Sequence, residues 1–148
     1  MGEIAWQTSN RIYLDTNLFI YAVEAIEPYG QLVRPLFEAA DGGEIRLVTS
    51  SLALAETLVM PYRKRDDVLI AAYRELFTRP PTGLLVAPLD AAVLEQAARL
   101  RATVDSLRLP DAIHLATARS QQCDTFLTND KRLKAATVLP VVVLSDLD

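Results

Sequence analysis

Apolar residues along this chain fall into blocks that switch between short continuous runs and the three-to-four spacing of a helix face. Residues 11–15 read as a strand, followed by a strongly apolar helix from about 17 to 26. Pro28 and Pro35 frame a second helix, which Gly42 and Gly43 bring to a stop. Residues 44–50 have the apolar and β-branched content of a strand. Ser50 or Ser51 can then cap a helix that runs to about Tyr62. Val68, Leu69, Ala72, Tyr73, Leu76 and Phe77 trace one face of an amphipathic helix. Residues 84–89 are a short strand, and Val93, Ala97, Leu100 and Val104 mark the next helix face. Pro110 opens a further helix. A strand at 125–128, a short helix over 130–136 and a last strand at 138–144 complete the pattern.

Strands that alternate with helices, and that are apolar without strict alternation, indicate an α/β fold with a parallel sheet covered on both faces. In such folds the loops at the carboxyl ends of the strands build the site. That places Asp15, at the end of the first strand, at the expected position for chemistry. It also raises a question of cost, because a carboxylate between two segments that should both be buried needs compensation.

Composition narrows the class. At 148 residues the expectation is a single domain, 1–148, large enough to bury a core without disulfides. Hydrophobic residues make up 51% and charged residues 23%, which excludes a disordered chain. No apolar run approaches the roughly 18 residues of a membrane span. Residues 1–10 are polar and acidic and do not resemble a secretory leader. With Cys123 as the single cysteine, read as a small buried hydrophobe, the expectation is a reducing cytoplasm. The net charge of −4 argues against a protein that coats nucleic acid non-specifically.

Four acids stand out. Asp15 and Asp130 end strands on the same edge of the predicted sheet, and Asp111 lies in the first turn of the helix opened by Pro110. Glu56 is the one charge among Leu52, Ala53, Val59 and Met60. Each has a plain structural role open to it: Asp15 and Asp130 as helix caps, Asp111 as a partner of the helix dipole, Glu56 as a partner of Arg63 or Arg108. If the four converge, their mutual repulsion requires a counter-charge. A hard divalent cation with oxygen ligands, Mg²⁺ or Mn²⁺, suits them; one cysteine and one histidine cannot build an ordinary zinc site. Setting the four aside leaves 15 acids against 15 bases, consistent with excess negative charge gathered in one pocket.

The segments YLDTNLFIY, TSSLALAETL, LPDAIHLATA and TFLTND, in this order, resemble the motifs of PIN-domain nucleases. The similarity is greatest to the single-domain VapC-type ribonuclease toxins of type II toxin–antitoxin modules, over about residues 11–144. It implies a three-layer α/β/α sandwich around a parallel sheet of about five strands. It further implies Mg²⁺- or Mn²⁺-dependent endonucleolytic cleavage of RNA, a cognate antitoxin and a homodimer. The family's acidic positions carry over to Asp15, Glu56, Asp111 and Asp130, with Asp15 and Asp111 as the firmest metal ligands. Thr128 matches a hydroxyl residue before the last acid, and Asn17 could order the first aspartate or a bound water. His114 falls outside the essential set and is expected to be a packed or hydrogen-bonded histidine. Arg63, Lys64 and Arg65, and Lys131, Arg132 and Lys134, are candidates for phosphate contact. The apolar segment Leu18–Val23 is expected to serve as core, as a partner face, or as both. An aspartyl-phosphate phosphatase would want an acid at the position of Asn17, and a phospho-receiver would want an acid pair after the first strand. A PIN module that binds without cleaving, or a housekeeping nuclease without an antitoxin, remains the alternative.

Overall fold

The computed structural model describes residues 11–136 and 138–147. The expectation about a leader at residues 1–10 therefore lies outside the described residues. The order of elements is β1 (Arg11–Leu14), α1 (Thr16–Val23), α2 (Tyr29–Asp41), β2 (Arg46–Ser50), α3 (Leu52–Lys64) and α4 (Asp67–Thr78). It continues with β3 (Leu84–Ala87), α5 (Ala91–Thr103), α6 (Leu109–Ser120), β4 (Thr125–Thr128) and β5 (Val141–Val143). Short 3-10 segments at Lys131–Ala135 and Leu144–Leu147 flank β5.

The strands form one sheet in the order β3-β2-β1-β4-β5, and every pairing is parallel. Successive side chains on a strand point to opposite faces, and here both faces are buried. Ile12 and Leu14 of β1, Leu47 of β2 and Leu127 of β4 enter one core, with Leu18 and Phe19 of α1, Val33 and Leu36 of α2 and Tyr73 and Phe77 of α4. The intervening Tyr13, Val48 and Phe126 enter a second core with Leu115 and Ala118 of α6. Tyr13 and Phe126 are register partners and stack at 4.9 Å between ring centroids. This is a three-layer α/β/α sandwich, as the block pattern implied.

Several elements differ in extent from the sequence expectation. Helix α1 ends at Val23, and Ala25 then takes a left-handed φ of 52°. Pro35 lies inside α2 instead of marking its edge. The buried residues of α4 are Ile70, Tyr73 and Phe77, whereas Val68 is 83% exposed. Side-chain periodicity gave the right helix but a face rotated away from Val68, because α4 packs on α3 with Ile70, Tyr73 and Phe77 inward. Strand β5 is only three residues long. Gly83 leads into β3 with φ +91°, where a Cβ would sit 2.4 Å from the carbonyl oxygen of Ala40. Only glycine permits that approach, and its own carbonyl accepts from Leu47 N at 2.8 Å, which seats β3 beside β2. Cys123 is partly buried beside the second core, and burial pushes its thiol up to about 11.

Candidate functional site

The strand order reverses direction at β1. From it the chain goes to β2 and β3 on one side and to β4 and β5 on the other. The crevice at the carboxyl ends of β1 and β4 is therefore the topological switch point, where open α/β sheets bind their ligands. The amide of Asp15 donates to the carbonyl of Leu127 at 2.9 Å, so the two strand ends are held together.

Asp15 lies deepest, its side chain only 14% exposed. One carboxylate oxygen accepts from the amide of Thr16 at 2.8 Å, and the other accepts from Thr128 Oγ1 at 2.7 Å. Both oxygens are thereby oriented by groups that the fold fixes. Burial pushes the Asp15 carboxyl above its usual range, although His114, Thr128 and Thr16 pull the other way. The helix-cap role considered from sequence is real, and it coexists with the placement in the crevice.

Glu56 reaches the same crevice from α3. Its Oε1 accepts from Thr16 Oγ1 at 2.7 Å and lies 2.5 Å from His114 Nε2. Neither Arg63 nor Arg108 is its partner. Its helical neighbours Val59 and Met60 are about half exposed, so the face assigned to the core is a rim. His114 is fully enclosed, with Nδ1 2.6 Å from the Tyr13 hydroxyl and Nε2 3.9 Å from Asp15 Oδ1. Burial opposes charge on this imidazole, but its bond to Glu56 and the nearby charges of Asp15, Glu56 and Asp111 outweigh it and push its pKa up. Burial likewise opposes charge on Glu56, and contact with His114 outweighs it, so its pKa is lowered. Both directions favour an imidazolium–carboxylate pair. His114 is thus buried and hydrogen-bonded, as expected.

The other two acids form a second pair. Asp111, in the first turn of α6, accepts from Arg108 N at 3.0 Å. Asp130 caps the 3-10 segment through Arg132 N at 3.0 Å. The Arg132 guanidinium joins them: Nε lies 3.0 and 3.1 Å from the two Asp130 oxygens, Nη2 also contacts Asp130, and Nη2 reaches Asp111 Oδ2 at 3.4 Å. Hydrogen bonding to Arg132 holds Asp130 below the usual carboxylate range. The two halves share one field, since His114 is raised by Asp111 and Arg132 by Asp15.

These contacts add two protein cations to the sequence account of compensation. In this structure the counter-charges to the four acids are His114 and Arg132. Among the described residues, no group of three His, Cys, Asp or Glu side chains is arranged to hold a metal ion. The donors themselves, four carboxylates with no thiolate, match a hard oxygen-binding cation. Asp15, Asp111 and Asp130 remain the groups that could ligate one, with Glu56 beside them.

Other expectations sort unevenly. Thr128 supports Asp15 directly, and it also accepts from Asp130 N at 3.0 Å, coupling two of the acids. Asn17 faces solvent; its neighbour Thr16, which sequence reasoning passed over, is the buried link between Asp15 and Glu56. A hydroxyl directly after a strand-ending acid was the available signal. Arg63, Lys64 and Arg65 are exposed at the end of α3. Lys131 and Lys134 both pair with Asp146, and Arg132 turns to the acids instead of outward. A cavity of about 620 Å³ between α5 and α6, lined by Val93, Leu100, Leu115 and Arg119 among others, contains none of the four acids.

Comparison with known proteins agrees with this architecture. No curated protein matches the chain in sequence. Among solved structures, it is similar to VapC20 of Mycobacterium tuberculosis, described as a sarcin-ricin loop cleaving toxin, with a TM-score of 0.69 and 21% identity. That match covers 84% of this chain and 94% of the other. It is also similar to a chain of VapBC2 from Rickettsia felis bound to a promoter DNA fragment, with a TM-score of 0.68, 18% identity and coverage of 90% and 98%. A toxin–antitoxin complex from Klebsiella pneumoniae matches with a TM-score of 0.65, 20% identity and coverage of 89% and 96%. At these identities the likeness establishes the fold. The PIN domain family profile matches residues 12–139, which span β1 to the approach to β5 and include all four acids, and the chain therefore belongs to the PIN domain family.

Proposed function

We propose that this chain is a Mg²⁺- or Mn²⁺-dependent endoribonuclease of the VapC kind, acting as the toxin of a toxin–antitoxin pair in the cytoplasm. What supports the reading is that Glu56 meets Asp15 through Thr16, Asp111 meets Asp130 through Arg132, and Thr128 links Asp15 to the Asp130 backbone at the switch point. The four acids come from four separate stretches of chain, and a structural role would not require them to share a field. A divalent ion bound there would acidify a water for attack on phosphorus and offset charge on the phosphate. The chain's own part is positioning. Thr128 and the Thr16 amide orient Asp15, and His114 and Thr16 orient Glu56. Asp15 and Asp111 are the proposed principal ligands. Glu56 and Asp130 complete the set.

RNA as substrate rests on the family resemblance and on the similarity to a toxin that cleaves the sarcin-ricin loop. Arg63, Lys64 and Arg65 offer an exposed basic cluster for phosphates. An antitoxin partner rests on the similarity to chains found in toxin–antitoxin complexes. Exposed apolar residues supply surface for the antitoxin and for a second protomer: Val23 at the end of α1 and Ile26 beyond it, and Val59, Met60, Tyr62 and Val68 on α3 and α4.

The test is cleavage of structured RNA by purified protein. Activity should require Mg²⁺ or Mn²⁺, disappear in EDTA, and fall at least about 100-fold in Asp15→Asn and Asp111→Asn, as expected when a positioned electrostatic group is removed. Cleavage that persists in EDTA, or in both variants, would defeat the nuclease reading. Expression in a bacterium should arrest growth with the wild type and not with Asp15→Asn. Equal harmlessness of the two would remove the toxin assignment and leave a housekeeping nuclease.

A further inference from the structure

Arg132 holds a position that neither the motif pattern nor the expected phosphate contact explains. Of the basic residues that follow Asp130, Lys131 and Lys134 turn to Asp146, while Arg132 folds back over its own segment into the acids. The guanidinium is fastened on several sides. Its Nε spans both Asp130 oxygens, Nη2 bridges to Asp111, and Nη1 lies 3.5 Å from the carbonyl of Ser106. The backbone amide of the same residue also donates to Asp130. A planar fork bound to two carboxylates is a specific arrangement, distinct from the single contact of a surface lysine. The carboxylate oxygens it engages belong to two of the four proposed metal ligands.

We propose that Arg132 is a tethered counter-cation that competes with the divalent ion for Asp111 and Asp130, and so sets the metal concentration at which the site loads. The inference rests on the metal-site reading above and deepens it. The chemistry is exchange of one cation for another. An arginine remains charged at any relevant pH, and a carboxylate oxygen engaged by a guanidinium is not free to ligate a hard ion. Without Arg132, the four acids would keep His114 and the nearby charge of Arg108 as counter-cations, and the pocket would attract a divalent ion more strongly. With Arg132 in place, two of the four negative charges are offset by His114 and Arg132, and an entering ion must first displace the fork.

The experiment measures Mn²⁺ binding to the full chain by titration calorimetry, alongside the thermal midpoint with and without Mn²⁺. Arg132→Gln should bind Mn²⁺ about 10-fold more tightly than wild type, a change of about 1.4 kcal/mol. Its midpoint should rise more on adding Mn²⁺. Arg132→Lys, which keeps the charge and loses the fork, should lie between the two. Equal or weaker Mn²⁺ binding in Arg132→Gln, with wild-type circular dichroism, would overturn the competition while leaving the metal site standing. Absence of Mn²⁺ binding in both proteins would overturn the metal-site reading and this inference with it. If Arg132→Gln does not fold, Arg132→Lys decides: tighter binding than wild type supports the competition, and equal or weaker binding overturns it.

Discussion

Replacing His114 separates scaffold from catalyst. In the metal-free protein, His114→Ala removes the bond from Nε2 to Glu56 and the bond between Nδ1 and the Tyr13 hydroxyl. The first is charge-assisted and worth about 1.5–3 kcal/mol; the second is worth roughly 0.5–1.5 kcal/mol. Glu56 is one-third exposed and can rehydrate, which trims the first figure. Tyr13 is fully buried and cannot, so its hydroxyl loses a partner at a cost of about 1 kcal/mol or more. The total is about 3 kcal/mol. For a chain of this size each kcal/mol moves the midpoint by about 2–4 °C, which gives a fall of roughly 6–12 °C. Urea unfolding would measure the free energy directly, and RNA cleavage would be assayed well below the midpoint, where the variant is still folded. A scaffold histidine predicts a large loss of stability with activity per folded molecule reduced less than about 10-fold. An unchanged midpoint with abolished cleavage would refute the argument and make His114 a catalytic residue. The double variant with Glu56→Gln supplies a coupling energy, expected at about 1–2 kcal/mol.

Other consequences follow from the same geometry. Thr128→Val keeps the shape but removes the hydroxyl that joins Asp15 and Asp130; cleavage should fall at least about 10-fold with a stability loss near 1 kcal/mol, and unaltered kinetics would show that Asp15 needs no such support. Gly83→Ala should cost about 2 kcal/mol or more, because the left-handed φ and the contact with Ala40 are both closed to a Cβ; a wild-type urea midpoint would contradict the account of how β3 docks. The His114–Glu56 pair also predicts a pH dependence of metal-free stability. The His114 pKa is raised on folding, so its contribution is complete below roughly pH 6.5 and is lost as pH rises through the folded value. The Glu56 pKa is lowered, so its contribution is complete above roughly pH 4.3 and is lost as pH falls through the folded value. The wild type should therefore lose more stability than His114→Gln between pH 6.5 and pH 9. Parallel curves would rule out a charged imidazole.

Which features were legible before folding depends on the range of the interaction involved. The number and type of strands, the parallel sheet and the candidate acids could all be read locally, because burial on both faces leaves continuous apolar runs and strand ends leave isolated carboxylates. The family motifs added the grouping of Asp15, Glu56, Asp111 and Asp130. What could not be read was which side chain answers which charge. Thr16 looked like an ordinary helix residue until α3 brought Glu56 over it, and His114 acquired its role from Tyr13, 101 residues away. Helix periodicity placed Val68 and Glu56 on apolar faces, but the neighbouring layers decided that Val68, Val59 and Met60 meet solvent. Arg132 carried a charge of evident sign and no evident address; the turn after β4 aimed it inward at Asp130 and Asp111. The amino-acid sequence alone determined the layers and the acids, since patterning and charge are properties of single segments. Only the tertiary structure decided their counter-charges, since pairing depends on distances of a few ångströms between segments that meet after the chain has folded.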